Sequence, residues 1–516
     1  MRDSTRIIAN TIASYARLCV LALVGILATP IILHVLGPVD FGIFSVIAGS
    51  LAFLMFINGA LTTGAQRHIA YSLGENNQRD VIKWFTVSLI VHIALGIVVA
   101  VIALGSCHWV LYKFLNLPPG RLAAAVWIYR MVAIAMVSNI IATPFQAFMM
   151  AQESIVVLSL ISILSAITTI VGALVLRFLP GDSLLWYSSI YCLSQLVLFL
   201  GPISYALFRY RECRNLSREG MRWHNLLELL SFSGWNFFGA LAAVIRSQGP
   251  ALLLNIFIGP SANAAYGLAI QANGFSSEIS WGVLRATTSP IVKRYALGDQ
   301  KGMASLSNLA NKYAFLILWV AIAPVLFEIG FCLRLWLRHV PAYTASFVVL
   351  LLIALLIDQL TSGFGASLQA TGRIALYQIV VGAMNCIVVP AGYILLRLGM
   401  PADSILWAGI GGAMLAGLCR LWFARTAARI SVTDWLRHVL LPSAISLFAS
   451  TMVILLIRGM IQDGAIRFGI ILLVNTTVVA TCLWEFGIAP DHRAKLIALK
   501  NQLYRRISGI MRLSES

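Results

Sequence analysis

The amino-acid sequence predicts an all-α integral membrane protein of about 14 transmembrane helices. Hydrophobic residues make up 60% of the 516 residues, charged residues make up 11%, and the mean hydropathy is +0.88. A soluble core cannot bury that much apolar surface. Apolar runs of about 20 residues, long enough to cross the hydrocarbon at about 1.5 Å per residue, recur between short charged stretches.

Fourteen apolar runs have the length of a membrane span. They are 12–35, 41–61, 85–107, 123–146, 155–178, 184–208, 230–257, 262–285, 312–333, 343–365, 374–397, 403–424, 438–457 and 467–487. Arg2 and Arg6 lead into the first run, which is long enough to span and lacks a small-residue cleavage site. We therefore expect the first helix to remain as an anchor.

The net charge of +18 is distributed unevenly over the predicted loops. Loops on the side of the N-terminus hold 25 of the 37 Lys and Arg residues, loops on the other side hold 8, and 4 lie within spans. Basic loops stay in the cytoplasm, so this bias predicts that both termini are cytoplasmic. The basic surplus is explained by topology and by attraction to anionic lipid headgroups, and no nucleic-acid partner is expected.

Cysteine and histidine patterns predict neither a metal nor a disulfide framework. The eight cysteines are scattered without a CxxC pair, and the eight histidines show no ligand spacing. No cofactor is expected, apart from coupling to H+ or Na+.

An internal repeat runs through most of the chain. "TTGAQRHIAYSLGENNQ" (62–78) is echoed by "TTSPIVKRYALGDQKG" (287–302), and "VLGPVDFGIF" (35–44) is echoed by "FIGPSANAAYGLA" (257–269). A nearly constant offset holds across six helices, and an even number of spans per copy preserves orientation. The repeated polar passage is predicted to be a cytoplasmic loop between the second and third helices of each half.

The repeat predicts two parallel, pseudo-symmetric six-helix lobes around a central cleft. The N-terminal lobe is predicted at 1–215 and the C-terminal lobe at 216–430. Two extra transmembrane helices follow at 431–490, and a cytoplasmic basic amphipathic tail at 491–516. Paired lobes of this kind are typical of alternating-access carriers, with the substrate at the lobe interface, so a transporter is favoured over an enzyme.

Arginines within the spans are the first candidates for a substrate site. Charges near the bilayer centre normally face a cavity, and the guanidinium fork suits a phosphate or carboxylate. Arg17, Arg130 and Arg246 are the candidates, and Arg246 lies nearest the midplane. Alternatively, Arg17 and Arg130 extend to the headgroups, and Arg246 pairs with Glu278 or Asp358.

Acidic and amide side chains within spans complete the candidate set. Asp358 and Glu278 are interpreted as ion-coupling groups or counter-ions, whereas Glu328 is expected at the outer membrane interface. Gln248, Gln271, Asn58 and Asn273 are candidates for contacts to sugar hydroxyls, with interhelical hydrogen bonds as the alternative for each.

Four passages carry a resemblance to a known family. They are "FINGALTTGAQRHIAYSLG" (56–74), "LSFSGWNFFGALAAVIRSQGPALLLNIFIGPSANAAYGLAIQ" (230–271), "LWLRHVPAYTASFVVLLL" (335–352) and "LQATGRIALYQ" (368–378). The sequence resembles the polysaccharide-transporter flippases, which carry O-antigen and capsule repeat units, of the multidrug/oligosaccharidyl-lipid/polysaccharide (MOP, MATE-like) superfamily.

The resemblance implies a V-shaped fold of two six-helix lobes plus two helices in the bacterial inner membrane. It also implies flipping of undecaprenyl-pyrophosphate-linked oligosaccharide, with membrane lipids and the polysaccharide polymerase machinery as partners. Cationic central cavities are attributed to this family, which fits Arg17 and Arg246; at Arg246 the family pattern favours a neutral polar residue.

Two rival functions remain open on the sequence. A MATE-type drug or organic-cation exporter would share the architecture but needs a mostly acidic cleft. A membrane polymerase or ligase needs a large outer loop with catalytic residues, whereas the longest outer loop here, 108–122, is short.

Overall fold

The computed structural model describes residues 2–74, 77–152, 154–217, 220, 222–337, 339–371 and 375–487. No strand occurs in these ranges. The α-helices are α1 (Arg2–Ala52), α2 (Phe56–Gly74), α3 (Gln78–Trp109), α4 (Leu122–Ala151), α5 (Ile155–Val175), α6 (Ser183–Arg209), α7 (Trp223–Phe257), α8 (Pro260–Ala296), α9 (Gln300–Phe327), α10 (Ile329–Trp336), α11 (Thr344–Ser362), α12 (Phe364–Ala370), α13 (Ala375–Cys386), α14 (Val388–Arg397), α15 (Ser404–Thr426), α16 (Val432–Trp435), α17 (Leu441–Met460) and α18 (Ala465–Cys482).

The helices form a multi-pass membrane protein, which confirms the predicted fold class. Among the described residues, eleven helices are long and apolar enough to cross a membrane. Every one of the fourteen predicted spans overlaps a helix. Large apolar side chains such as Val101 and Leu104 on α3 are 65% and 66% exposed, as expected for a surface that faces lipid tails.

Glycine–proline pairs break the helical path at matching places in the two halves. Gly37 has φ 76 and kinks α1 just before Pro38, while Gly259 has φ 113 and separates α7 from Pro260, the first residue of α8. Glycine adopts positive φ without a Cβ clash, and proline is suited to the first turn of a helix. Both copies of the repeated "GP" therefore end one helical segment and start the next.

The repeated polar passage is mostly helical, which corrects the prediction of a loop. Residues 62–74 lie within α2 and residues 287–296 lie within α8. Polar side chains indicate where a helix leaves the hydrocarbon, but the helix itself ends only where a residue such as Gly298, at φ 73, turns the chain.

Asx caps start the helices that follow both passages. The side chain of Asn77 accepts a hydrogen bond from Asp80 N, and that of Asp299, near the corresponding end of the second passage, accepts one from Gly302 N. The Gly302 N–H and the Arg294 side chain hold the pKa of the Asp299 carboxyl below its ordinary value. The repeat is thus visible in local structure as well as in sequence.

Three connections between helices contact one another in the structure, and the predicted topology places all three on the same side of the membrane. Arg121, between α3 and α4, forms ion pairs with Asp40 after the α1 kink and with Asp182 at the start of α6. The contact to Asp182 measures 2.7 Å from Nη1 to Oδ2. One guanidinium therefore joins three chain connections.

Two compact units make up the chain. The first contains Met1–Phe275, Leu333–Ala354 and Ile374–Ala416, and the second contains Ser276–Cys332, Leu355–Arg373 and Gly417–Ser516. The lobe boundaries at 1–215, 216–430 and 431–490 stay a prediction. The predicted amphipathic tail, 491–516, lies outside the described residues.

The second half of α1 and the start of α8 cross at glycines inside the first unit. A Cβ on Gly42 would lie 1.9 Å from Pro260 O, and a Cβ on Gly267 would lie 3.0 Å from Ser45 Oγ. Small residues allow membrane helices to approach this closely. Because Gly42 and Gly267 are themselves repeat partners, each copy of the motif packs against the other.

We expect Gly42→Ala to destabilise the folded protein by about 1–3 kcal/mol, because the added methyl group meets a backbone carbonyl that has little room to move. The measurement is the thermal unfolding temperature of the purified protein in detergent. Gly105→Ala on α3 is the matched control, because no atom lies within 4 Å of its added Cβ. Equal unfolding temperatures for the two variants would contradict the proposed close crossing.

Candidate functional site

Arg17 lies in the first spanning segment, Ala16–Ala52. Its side chain is partly buried, and its Nε is buried without a hydrogen-bond partner among the described residues. Buried polar groups normally have a protein or water partner, and a guanidinium always carries its charge. Among the described residues, Arg17 therefore has a charged N–H donor without a hydrogen-bond partner, within a spanning helix.

Arg246 on α7 contacts an amide. Its Nη1 donates a hydrogen bond of 3.0 Å to Asn385 Oδ1 on α13. Gly249, one turn further along α7, allows Val389 of α14 to approach, since a Cβ there would lie 2.3 Å from Val389 Cγ2. Asn385 therefore orients the guanidinium. This residue is not predictable from the sequence, because a lone Asn in an apolar helix carries no information about its partner.

The other predicted binding residues take up varied environments. Arg130 is exposed on α4. Gln271 accepts a hydrogen bond of 2.9 Å from Thr29 Oγ1 and donates to Gly25 O, while Asn58 donates to Thr143 Oγ1 at 3.1 Å.

Gln248 lies against α1, because a Cβ on Gly49 would be 2.6 Å from its Oε1. The amides Gln248, Gln271 and Asn58 therefore contact neighbouring helices, in agreement with the predicted alternative of a role between helices. Their contacts to sugar hydroxyls stay a prediction.

Asp358 on α11 pairs with Arg420 on α15. Arg420 Nη1 lies 2.9 Å from Asp358 Oδ1 and 3.4 Å from Thr361 Oγ1, and the two charged side chains of the ion pair are 11% and 10% exposed. Arg246 is one predicted counter-ion of Asp358, whereas the structure gives Asp358 a guanidinium partner from its own unit.

A polar contact joins the same two helices in the first copy of the repeat. Asn139 on α4 donates a hydrogen bond of 3.0 Å to Gln195 on α6. Asn139 corresponds to Asp358 when the second copy is aligned with the first. The helices α6 and α15 are also equivalent, but Gln195 and Arg420 do not occupy equivalent positions on them. The same two helices of each half are joined by a neutral amide pair in the first copy and by an ion pair in the second.

Glu278 and Glu328 also have arginine partners. Glu278 and Arg285 form a pair at 3.3 Å, and their side chains are 42% and 58% exposed. Glu328 is buried and contacts Arg467 at 2.6 Å and Arg458 at 3.4 Å, while its expected position at the outer membrane interface stays a prediction. Its burial depends on the packing of α17 and α18, which the position of Glu328 in the sequence does not reveal.

The three predicted in-span carboxylates, Asp358, Glu278 and Glu328, are therefore each paired with arginine. Arg246 contacts an amide, and the Nε of Arg17 has no hydrogen-bond partner among the described residues. This arrangement suits an anionic ligand better than a cationic one. The N–H group of Arg17 that has no partner among the described residues belongs to a charged side chain, whereas the three carboxylates already pair with arginines.

No protein-family model matches the sequence, and no curated protein matches it. Solved structures do match. An inward-facing multidrug resistance MATE family transporter of the MOP superfamily has a TM-score of 0.69 at 16% identity, covering 79% of this chain and 94% of that one. The lipid II flippase MurJ, in an inward closed conformation, has a TM-score of 0.64 at 14% identity, covering 92% and 98%.

A MATE in complex with MaD3S has a TM-score of 0.61 at 17% identity, covering 82% of this chain and 96% of that one. The chain therefore has the fold shared by MOP-superfamily transporters. These neighbours are transporters and a flippase, and none of the three is an enzyme.

We expect Asp358→Asn and Arg420→Gln each to lower the free energy of unfolding by about 3–5 kcal/mol, because each leaves an uncompensated charge in a buried setting. The double variant Asp358→Asn/Arg420→Gln replaces the ion pair with two neutral amides, the chemistry that joins Asn139 to Gln195 in the first copy. It should therefore recover most of the lost stability in thermal unfolding of the purified protein.

Glu278→Gln is the control for loss of an exposed ion pair, with an expected effect of about 0–1 kcal/mol. A double variant no more stable than the two single variants would contradict the interpretation of Asp358 and Arg420 as one coupled pair.

Proposed function

We propose that the protein is a flippase that moves undecaprenyl-pyrophosphate-linked oligosaccharide across the bacterial inner membrane by alternating access. The oligosaccharide is the repeat unit of an O-antigen, capsule or exopolysaccharide. The observation that carries the proposal is the buried Nε of Arg17, which has no hydrogen-bond partner among the described residues and lies in a spanning helix. A charged N–H donor buried in a spanning helix normally has an anion or a water molecule as its acceptor. A pyrophosphate supplies several acceptor oxygens.

The charge balance within the spans supports an anionic headgroup. Asp358, Glu278 and Glu328 already contact arginines, so they offer little free negative charge to an organic cation. The guanidinium of Arg246 is oriented by Asn385, an uncharged amide. Paired N–H donors of a guanidinium match phosphate oxygens bidentately.

The fold likeness also supports a flippase. The matched MurJ structure is named a lipid II flippase, and the likeness covers 92% of this chain, against 79% and 82% for two matched MATE structures. The family resemblance in four sequence passages suggests the same class of lipid-linked sugar.

The proposed cycle begins with both termini in the cytoplasm and an inward-open cleft. Arg17 and Arg246 capture the pyrophosphate, and the prenyl tail stays in the lipid. Arg130, near the outer end of its span, adds positive charge on the side to which the headgroup moves. Rocking of the two repeat halves then exposes the headgroup on the opposite side. The amides Gln248, Gln271 and Asn58 would exchange their interhelical contacts for sugar hydroxyls during this step.

Coupling to H+ or Na+ is assigned to Asp358 or Glu278. Asp358 holds a buried guanidinium partner, so it could take up a cation only when its contact with Arg420 opens. Glu278 is more exposed than Asp358, and its distance to Arg285, 3.3 Å, is longer than the 2.9 Å between Asp358 and Arg420. The protein would work beside the polysaccharide polymerase machinery, which consumes the flipped repeat unit.

The second candidate is a MATE-type cation-coupled exporter of drugs or organic cations, and the matched MATE structures are the observation behind it. The pairing of the in-span carboxylates argues against it, because a cationic drug would have to displace an arginine. Expression of the protein in a drug-sensitive strain separates the two: a rise in minimum inhibitory concentration for cationic dyes would favour the exporter.

Deletion of the gene tests the proposed activity directly. Lipid-linked oligosaccharide should accumulate in the cytoplasmic leaflet, because its synthesis continues while its translocation stops. The measurement is leaflet-resolved analysis of lipid-linked oligosaccharide, with complementation by the wild-type chain as the control. An unchanged leaflet distribution would remove the flippase proposal.

Arg17→Ala and Arg246→Ala should each reduce surface polysaccharide about 10-fold to 100-fold, the effect of losing charged hydrogen bonds worth about 1.5–3 kcal/mol. Surface polysaccharide is measured in complemented deletion strains at matched levels of membrane-inserted protein. Arg177→Ala, at an exposed site just after α5, is the control and should retain full activity. Full activity of Arg246→Ala would remove this residue from the mechanism.

The double variant Asp358→Asn/Arg420→Gln also tests coupling. If Asp358 binds the coupling ion, the double variant should be stable but should transport at a rate independent of the ion gradient. Transport that still responds fully to the gradient would assign coupling to another group, with Glu278→Gln as the next variant to measure.

A further inference from the structure

Two histidines from distant parts of the chain share a cavity in the first unit. The cavity has a volume of about 220 Å³ and lies at the kink of α1. His34 belongs to α1, one turn before Gly37, and His339 belongs to the connection between α10 and α11. Their ring centroids are 6.4 Å apart with an interplanar angle of 77°.

We propose that His34 and His339 form a binding site for a divalent transition-metal ion of the class that prefers imidazole, such as Zn2+, Ni2+ or Cu2+. Neutral imidazole is the commonest side-chain ligand for these ions. Water molecules in the cavity complete the coordination sphere. One ligand lies on α1 and the other on the connection between α10 and α11, far apart in the chain, which explains why sequence spacing predicted no metal site.

The ring separation is at the upper limit for a shared metal ion. With metal–nitrogen bonds of about 2.0–2.1 Å, each ring centroid lies roughly 3.2 Å from the ion, so two ligating rings are roughly 5 Å apart at a tetrahedral angle and reach the observed 6.4 Å only when the two nitrogens lie opposite each other across the ion. Both histidine side chains are exposed, so a small rotation can bring the rings closer.

The cavity walls restrict the backbone that carries the two histidines. Pro30, Pro38 and Pro341 line the cavity, and their rings restrict the backbone on both sides of it. Trp336 Nε1 donates a hydrogen bond of 3.0 Å to Ile26 O, which ties the end of α10 to α1 two turns before His34. A backbone that is restricted before binding reduces the entropic cost of bringing the two imidazoles to the ion.

Metal binding would join the α10–α11 connection to the kinked segment of α1. The kink depends on Gly37, whose positive φ and place in the cavity wall put the bend beside the bound ion. The ion would therefore act as a clamp on this bend. The inference concerns binding alone and does not depend on the transported substrate.

The test is titration of the purified full-length protein with Zn2+ by calorimetry. The wild-type protein should bind one ion at this site, and His34→Gln and His339→Gln should each weaken its binding about 10-fold or more, since loss of a ligand costs at least as much as loss of a supporting group. His108→Gln, at an exposed histidine on α3, is the matched control and should bind as the wild type does.

Two further measurements make the result decisive. Zn2+ should raise the thermal unfolding temperature of the wild type and of His108→Gln, but not of the two ligand variants, because only a folded site gains stability from the ion. With Cu2+, the electron paramagnetic resonance spectrum should show two coordinated nitrogens. No Zn2+ binding, or binding weakened by only one of the two substitutions, would overturn the two-histidine site.

Discussion

The free-energy cost of placing a charged side chain inside a membrane determines which polar contacts this structure must contain. An ionised side chain near the bilayer centre costs roughly 2.5–3.5 kcal/mol on insertion scales unless a partner or a polar cavity compensates it. The buried carboxylates of Asp358 and Glu328 meet this cost by contacting arginines. On the cationic side, the Nε of Arg17 is unbonded among the described residues. An anionic substrate is the compensation that the proposed function supplies.

The two copies of the repeat use the same backbone features with different side-chain chemistry. Each copy has a glycine at positive φ before a proline, and each has an Asx cap after the repeated polar passage. Where the first copy joins two helices through Asn139 and Gln195, the second joins the equivalent helices through Asp358 and Arg420. Duplication thus maintained the packing, and the charged pair introduced a protonatable group at one of two equivalent positions. That asymmetry makes Asp358 the more informative target for ion-coupling experiments.

Polar residues within spans illustrate the limit of sequence reasoning at the site. The sequence identified Arg246, Gln271 and Asp358 as unusual, because polar groups in apolar helices need a physical reason. It could not identify their partners: Asn385, Thr29 and Arg420 lie on other helices, far away along the chain. Glu328 illustrates the same limit, since its partners Arg458 and Arg467 lie on α17 and α18, more than 100 residues further along the chain. The polar passages were assigned to loops for a related reason, because polarity reports the local solvent and not the end of a helix.

By itself, the sequence determined that this chain is a multi-pass helical membrane protein with an internal repeat, because hydrophobic run length and residue periodicity are local properties. It also determined where the helical path breaks, since Gly37-Pro38 and Gly259-Pro260 act through their own backbone geometry. Only the tertiary structure decided which charges are compensated, which glycines are contact points such as Gly42 on Pro260, and that His34 and His339 share a cavity. These features depend on distances between residues far apart in the chain, and packing of whole helices sets those distances.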